Sequence, residues 1–260
     1  MKIMVCLKQV PHQDARLDID SAGTWIQESN IKFEINTYDT YALEEALRAK
    51  DEGECEVVVV SIGPDRTTQA LRTALGMGAD RAVHIKDEEA DGSDALGLAK
   101  LLAAVAKEES PDTIFTGFMS DDDNFAAVPP MLAELVGLPH TTAAVKVVRG
   151  DSSLTVDRET EGGSYEVVEL PLPCLVSVQT GINQVRYASL KGIMAAKKKP
   201  LDVKSVADLG LSGSVGAGAA KVKIEKIAPP PKGDTAELLE GSTDEVVAGL
   251  VTKIKELGLL

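Results

Sequence analysis

The segment Glu56–Ile62, EVVVVSI, constrains the fold more than any other. Consecutive valines cannot alternate an apolar face with a solvated one. A strand of this composition is therefore buried on both faces, as in a parallel sheet covered by helices. The flanking sequence supplies such helices. Thr40–Ala49 places Leu43, Ala46 and Leu47 on one face, with Glu44 and Arg48 spaced for an i,i+4 pair and Gly53 as stop. Arg66–Met77 carries Ala70, Leu71, Ala74 and Leu75 and ends at Gly78; Asp94–Glu108 turns Leu98, Leu101, Leu102 and Val105 inward. Met1–Lys8, Arg81–Ile85 and Thr113–Thr116 read as further strands, and Phe33–Asn36 as a brief edge strand after the polar, irregular segment His12–Lys32. Phe125–Leu135 reads as a helix holding Pro129 and Pro130 in its first turns. Strands alternating with helices predict a Rossmann-like three-layer α/β/α fold with a mostly parallel sheet.

From Val145 the pattern changes to strands without helices. Val145–Arg149, Leu154–Glu159, Tyr165–Leu170 and Cys174–Gln179 are separated by turn residues, which predicts an antiparallel extension of the sheet or a small cap. After Lys199-Pro200 the composition drifts to Gly, Ser, Ala and Pro. Residues 1–199 thus read as the α/β domain and residues 200–260 as an extended arm with little core of its own. Thr243–Leu257 closes the arm as an amphipathic helix with Val246, Val247, Leu250, Val251 and Ile254 on one stripe, capped by Ser242 or Thr243. A partner subunit is the natural place to bury that stripe.

Charge and composition exclude several function classes. The 27 Lys+Arg stand against 41 Asp+Glu, and the resulting net charge of −14 repels a phosphate backbone, so nucleic acid is not an expected partner. No uncharged apolar run reaches membrane-spanning length; Lys100 interrupts the best candidate. MKIMVCLKQV reads as a strand of the fold and lacks the features of a signal or transit peptide, so the expected location is the cytoplasm. Cys6, Cys55 and Cys174 sit in apolar runs, and His12, His84 and His140 are scattered, so neither a disulfide framework nor a zinc site is expected.

In open parallel sheets, ligands bind beyond the C-terminal strand ends. Three such junctions stand out: the run from Cys6 to Pro11, the run from Ser61 through Ile62 and Gly63 to Pro64, and the run from Gly117 to Asn124. The last reads Gly117, Phe118, Met119, Ser120, Asp121, Asp122, Asp123, Asn124. Its polar residues either bind a ligand or simply cap the following helix. Neither Gly76-Met77-Gly78 nor Gly213–Gly218 follows a strand, so there is no phosphate loop. The segment Asn183–Lys199 sets Leu190, Ile193 and Met194 between basic residues in an acidic chain. Exposed, it is a docking anchor; buried, it is a core-facing helix with a solvated basic end.

At this segment the sequence resembles the beta subunits of electron transfer flavoproteins. NQVRYASLKGIMAAKKKP matches their signature, which runs approximately N-x-x-R-Y-A-[ST]-L-x-x-I-M-x-A-K-K-K. MKIMVCLKQVP, GPDRTTQALRTALGMGADRAVHI and NTYDTYALEEALRAKDEG agree with further blocks, so the resemblance spans essentially the whole chain. It implies an electron carrier, not an enzyme. It also implies a heterodimer whose alpha subunit holds the redox-active FAD, with this subunit walling that site and binding AMP or a second FAD. The implied nucleotide site comprises Cys6, the segment Asn36, Thr37, Tyr38 and Asp39, Ile62, and Gly117 through Phe125, Ala126, Ala127 and Val128. The implied docking loop for acyl-CoA dehydrogenases or other flavin dehydrogenases is Gln184–Lys199, with Arg186, Tyr187, Leu190, Ile193, Met194, Lys197, Lys198 and Lys199. A membrane quinone oxidoreductase is a further implied partner.

The sequence departs from the family at Asn124–Pro130, where small polar residues and a Gly-Gln step are replaced. This leaves AMP or FAD open and argues against electron bifurcation. Two other readings stand beside this one. One is a stand-alone regulatory domain of related fold that senses an adenine nucleotide. The other is an enzyme using Asp122 or Asp123 as acid or base, for which no orienting partner is visible.

Overall fold

A computed structural model describes residues 1–231, 233 and 236–260. The valine-rich strand β4 (Glu56–Ile62) is buried as expected and pairs in parallel with β1 (Lys2–Cys6) and β5 (Arg81–Ile85). On its other side β1 pairs in parallel with β6 (Thr113–Gly117). Beyond β6 lie β10 (Cys174–Val178), β7 (His140–Arg149), β8 (Ser153–Glu159) and β9 (Tyr165–Pro171). β8 and β9 form the antiparallel extension. A short antiparallel pair, β2 (Gln9–Pro11) with β3 (Phe33–Ile35), stands apart from the main sheet. The result is a mostly parallel three-layer α/β fold.

Helices cover both faces. α1 (Thr37–Glu52) and α2 (Thr67–Met77) bury Leu43, Leu47, Leu71 and Leu75 against Ile3, Val5, Val57, Val59 and Phe115. On the opposite face, α3 (Ala95–Glu109) and α4 (Val128–Val136) bury Leu101, Val105 and Leu132 against Met4, Val58, Val60 and Ile114. Two further helices, α5 (Leu190–Ala196) and α6 (Thr243–Glu256), come after β10 in the chain. No helix among the described residues is long and apolar enough to cross a membrane.

Four readings change. Cys174–Val178 belongs to the parallel core, inserted between β6 and β7 and fully buried, because its apolar run needs cover on both faces. The helix read from Phe125 starts at Val128, since Asn124 and Ala126 adopt left-handed φ values of 55° and 50° that break a helix. Arg48 reaches Glu45 rather than Glu44, with Nη1 donating to Oε1 at 2.8 Å. Leu201–Lys204 forms the parallel edge strand β11 beside β5, and Val206 and Val215 are buried against the α3 face. The sheet therefore continues past the boundary drawn at residue 200, because this stretch still has apolar side chains to bury.

Candidate functional site

Between β1 and β6 the strand order reverses, and in such folds the crevice at that switch point receives ligands. Here the first turn of α1 closes over the two strand ends. Asp39 is buried, and its carboxylate accepts from Lys8 N at 2.7 Å and Gly117 N at 3.0 Å, tying α1 to both strands. Burial pushes this carboxyl up to about 7, against the opposing pull of those donors. Burial, with the Asp39 charge beside it, also raises the Cys6 thiol, so Cys6 is a packed thiol and not a nucleophile. Gly117 is required by packing. A Cβ there would run into the Asp39 carboxylate and come within 2.6 Å of Tyr38 Cβ. Phe118 lies beside Tyr38, ring centroids 6.4 Å apart and tilted by 60°.

The acidic run folds back on α1. Asn36 Nδ2 donates to Met119 O at 2.9 Å, and Asp121 N donates to Asn36 Oδ1 at 2.9 Å. Asp121 Oδ2 accepts from Thr37 N at 3.0 Å, so this carboxylate caps the N-terminus of α1. Lys8 Nζ donates to Asp122 Oδ1 and Asp123 Oδ2, both at 2.6 Å, and to Ser120 Oγ at 3.3 Å. Burial opposes the lysine charge, but the two aspartates outweigh it and raise the Lys8 pKa. Asp122 moves the other way: Lys8 outweighs burial and lowers it. Among the described residues no group of three or more His, Cys, Asp or Glu could hold a metal ion. A shallow cleft of ≈ 270 Å³ opens beside this run, between Asp121, Asp122 and the segment from Pro11 to Leu17.

On the α4 face of the same sheet edge lie Cys6 and Ile62. Thr116 and Ser177 share this face, each two residues beyond Ile114 and Leu175, and they are register partners on β6 and β10. Both are buried, and neither hydroxyl has a hydrogen-bond partner among the described residues. Orphaned hydroxyls of this kind suit a polar occupant. α4 offers an anion less than most helices do, because Pro129 and Pro130 remove two N–H donors from its first turn. The left-handed Ala126 followed by the right-handed Ala127 turns successive N–H groups to one side, which restores part of an anion cradle. Phe125 is 66% exposed and packs on no core.

The structure thus brings Asn36, Thr37 and Asp39 together with Gly117–Asp121 by direct hydrogen bonds. Ile62 and Cys6 stand on the far face. Sequence reasoning left Thr116 and Ser177 out of the site, and it placed Lys8 in the first candidate junction without giving it a role. A single lysine just after β1, set against three successive aspartates after β6, was the available signal for that role.

The second candidate surface is α5. Tyr187 is 96%, Leu190 83% and Met194 72% exposed, and Ile193 is about half exposed. Lys197 and Lys198 are also exposed. Arg186 and Lys199 are not free: the Arg186 guanidinium pairs with Glu44 at 2.8 Å and Asp51 at 2.7 Å, and Lys199 Nζ donates to Leu75 O at 3.0 Å and Ala79 O at 2.5 Å.

Residues 23–209 match the model of the electron transfer flavoprotein domain. The chain is 38% identical to the electron transfer flavoprotein subunit beta of Methylophilus methylotrophus over 98% of each chain. It is also 38% identical to that of Bradyrhizobium diazoefficiens over the full length of both. The mitochondrial subunit beta of Arabidopsis thaliana is 36% identical over 95% of this chain and 96% of its own. With a family match over most of its residues and beta subunits aligned from end to end, the chain belongs to the electron transfer flavoprotein family.

Proposed function

We propose that this chain is the beta subunit of a heterodimeric electron carrier. It shields the FAD of an alpha subunit, binds an adenine nucleotide at its own switch point, and docks on acyl-CoA-type flavin dehydrogenases through α5. One observation carries the reading. The core of the sheet is full, yet α5 and α6 leave apolar side chains exposed, and a self-contained nucleotide sensor needs neither surface. The subunit makes and breaks no bonds itself; the bound flavin supplies the redox chemistry, and this chain orients partners and excludes water around it.

AMP is favoured over a second FAD in the beta site. The replacement of the family's small polar residues and Gln over Asn124–Pro130 removes polar side chains that a larger dinucleotide would use. Thr116, Ser177 and backbone N–H groups at the start of α4 are the groups that would hold it, with Asn36 and Asp39 fixing the strand ends and loop beside them. The test is extraction of the co-expressed, purified heterodimer and counting of FAD and AMP. One of each per heterodimer supports the reading. Two FAD molecules would reassign the beta site. AMP without flavin or alpha subunit favours the sensor.

A further inference from the structure

α5 poses a physical problem. It spans seven residues, too few to be stable alone, and it buries only Ala196. Apolar burial therefore does not hold it. Polar and steric contacts with α2 do. Ser189 Oγ caps it by accepting from Gly192 N at 3.1 Å. Gly192 lies so close to the Gly76 carbonyl that a Cβ would collide with it. At its C-terminal end, Arg72 of α2 donates through Nη1 to Ala196 O at 2.6 Å and Lys199 O at 2.9 Å. In return, Lys199 Nζ donates to Leu75 O and Ala79 O at the C-terminal end of α2. Each of the two helix ends thus has its last carbonyls, which carry partial negative charge, covered by a cation from the other segment.

We propose that Arg72 and Lys199 are positioning residues that clamp α5 onto α2, so that Leu190 and Met194 are presented in a preformed arrangement. The proposal rests on the reading of α5 as the dehydrogenase contact. It divides the basic residues of the region by role. Arg72 and Lys199 point inward to carbonyls and are spent on geometry, whereas the exposed Lys197 and Lys198 are left to steer encounter. A docking element ordered in advance loses less conformational freedom on binding, so the clamp acts on affinity without touching the partner.

The test uses the flavin-loaded heterodimer as electron acceptor of a purified acyl-CoA dehydrogenase, with hydrogen exchange read over residues 189–198. Arg72→Gln and Lys199→Met are each expected to raise the KM for the carrier about tenfold. With either, kcat and the salt dependence stay unchanged and the α5 amides exchange faster. Lys198→Gln is expected to flatten the salt dependence and leave exchange alone. Leu190→Ala reports on the docking reading itself and is expected to raise KM without changing exchange. If Leu190→Ala raises KM while both clamp variants match the wild type, the clamp is refuted and docking stands. If Arg72→Gln flattens the salt dependence as Lys198→Gln does, Arg72 is a contact charge and the clamp is refuted. If Leu190→Ala has no effect, the docking reading fails and the proposal falls with it. Should Arg72→Gln fail to fold, Lys199→Met probes the same clamp from the other helix end.

Discussion

α1 and α6 are both amphipathic helices of similar length, and they have opposite fates. α1 buries Ala42, Leu43, Ala46, Leu47 and Ala49, together with the carboxylates of Asp39, Glu44 and Glu45. α6 buries nothing, and half of the Leu250 surface is exposed. Its ends are nonetheless well made: Ser242 and Glu245 form a reciprocal capping box, and acidic residues open the helix while lysines close it. A helix finished at both ends yet with no buried residue among those described fits our proposal that another chain covers it. The carboxylates of α1 teach the complementary lesson. Each of them meets a donor from a distant segment, so the helix ties the switch point at one end to Asn183 and Arg186 along its length.

The largest expected effect separates these two helices outright. Removing residues 229–260 should abolish heterodimer formation while leaving the α/β body folded, as size-exclusion chromatography with the alpha subunit and circular dichroism would report. Unchanged assembly would erase the contrast. Next come matched truncations. Leu47→Ala should destabilise the free chain by about 2–5 kcal/mol, because it opens a cavity in the core. Leu250→Ala should change its stability by less than about 0.5 kcal/mol and weaken the heterodimer instead. Chemical denaturation of the free chains and titration with the alpha subunit separate the two.

The buried polar groups of α1 give two smaller effects. Asp39 has a folded pKa of about 7 against an ordinary value of 3.8, so the folded chain holds a proton that the unfolded chain releases in that window. Its contribution to stability is therefore greatest at and below pH ~4 and is lost as the pH rises to ~7, at about 1.4 kcal/mol per unit of separation. Carbon NMR of the Asp39 carboxyl should show a midpoint near 7; a midpoint near 4 would mean that water reaches it. Arg186→Gln strands the buried Glu44 carboxylate and should cost about 2 kcal/mol in denaturant unfolding, with the salt dependence of docking unchanged.

Local patterns made much of this fold legible. Four valines in a row sufficed for β4, and apolar spacing for α2 and α3. The setting of β10 is not legible locally, because CLVSV reads alike in either kind of sheet and only its pairing with β6 and β7 decides between them. β11 was missed because LDVK is short and sits between a lysine cluster and a Gly-rich stretch, so its pairing with β5 had no local signal. At the site, the junctions were readable from strand ends, but the bonds within them were not. Arg186 and Lys199 read as docking charges, yet their partners lie 142 and 124 residues away, and no spacing rule reaches that far. The orphaned hydroxyls of Thr116 and Ser177 depend on register, which the sequence does not display.

The central claim is that the body is complete by itself while α6 awaits another subunit. Hydrogen–deuterium exchange of the full chain, alone and bound to the alpha subunit, tests it most directly. Strong protection of β1, β4 and β6 is expected in both states, and protection of the α6 amides only in the heterodimer. Equal exchange of α6 in both states, or an unprotected β1 and β6 in the free chain, would contradict it.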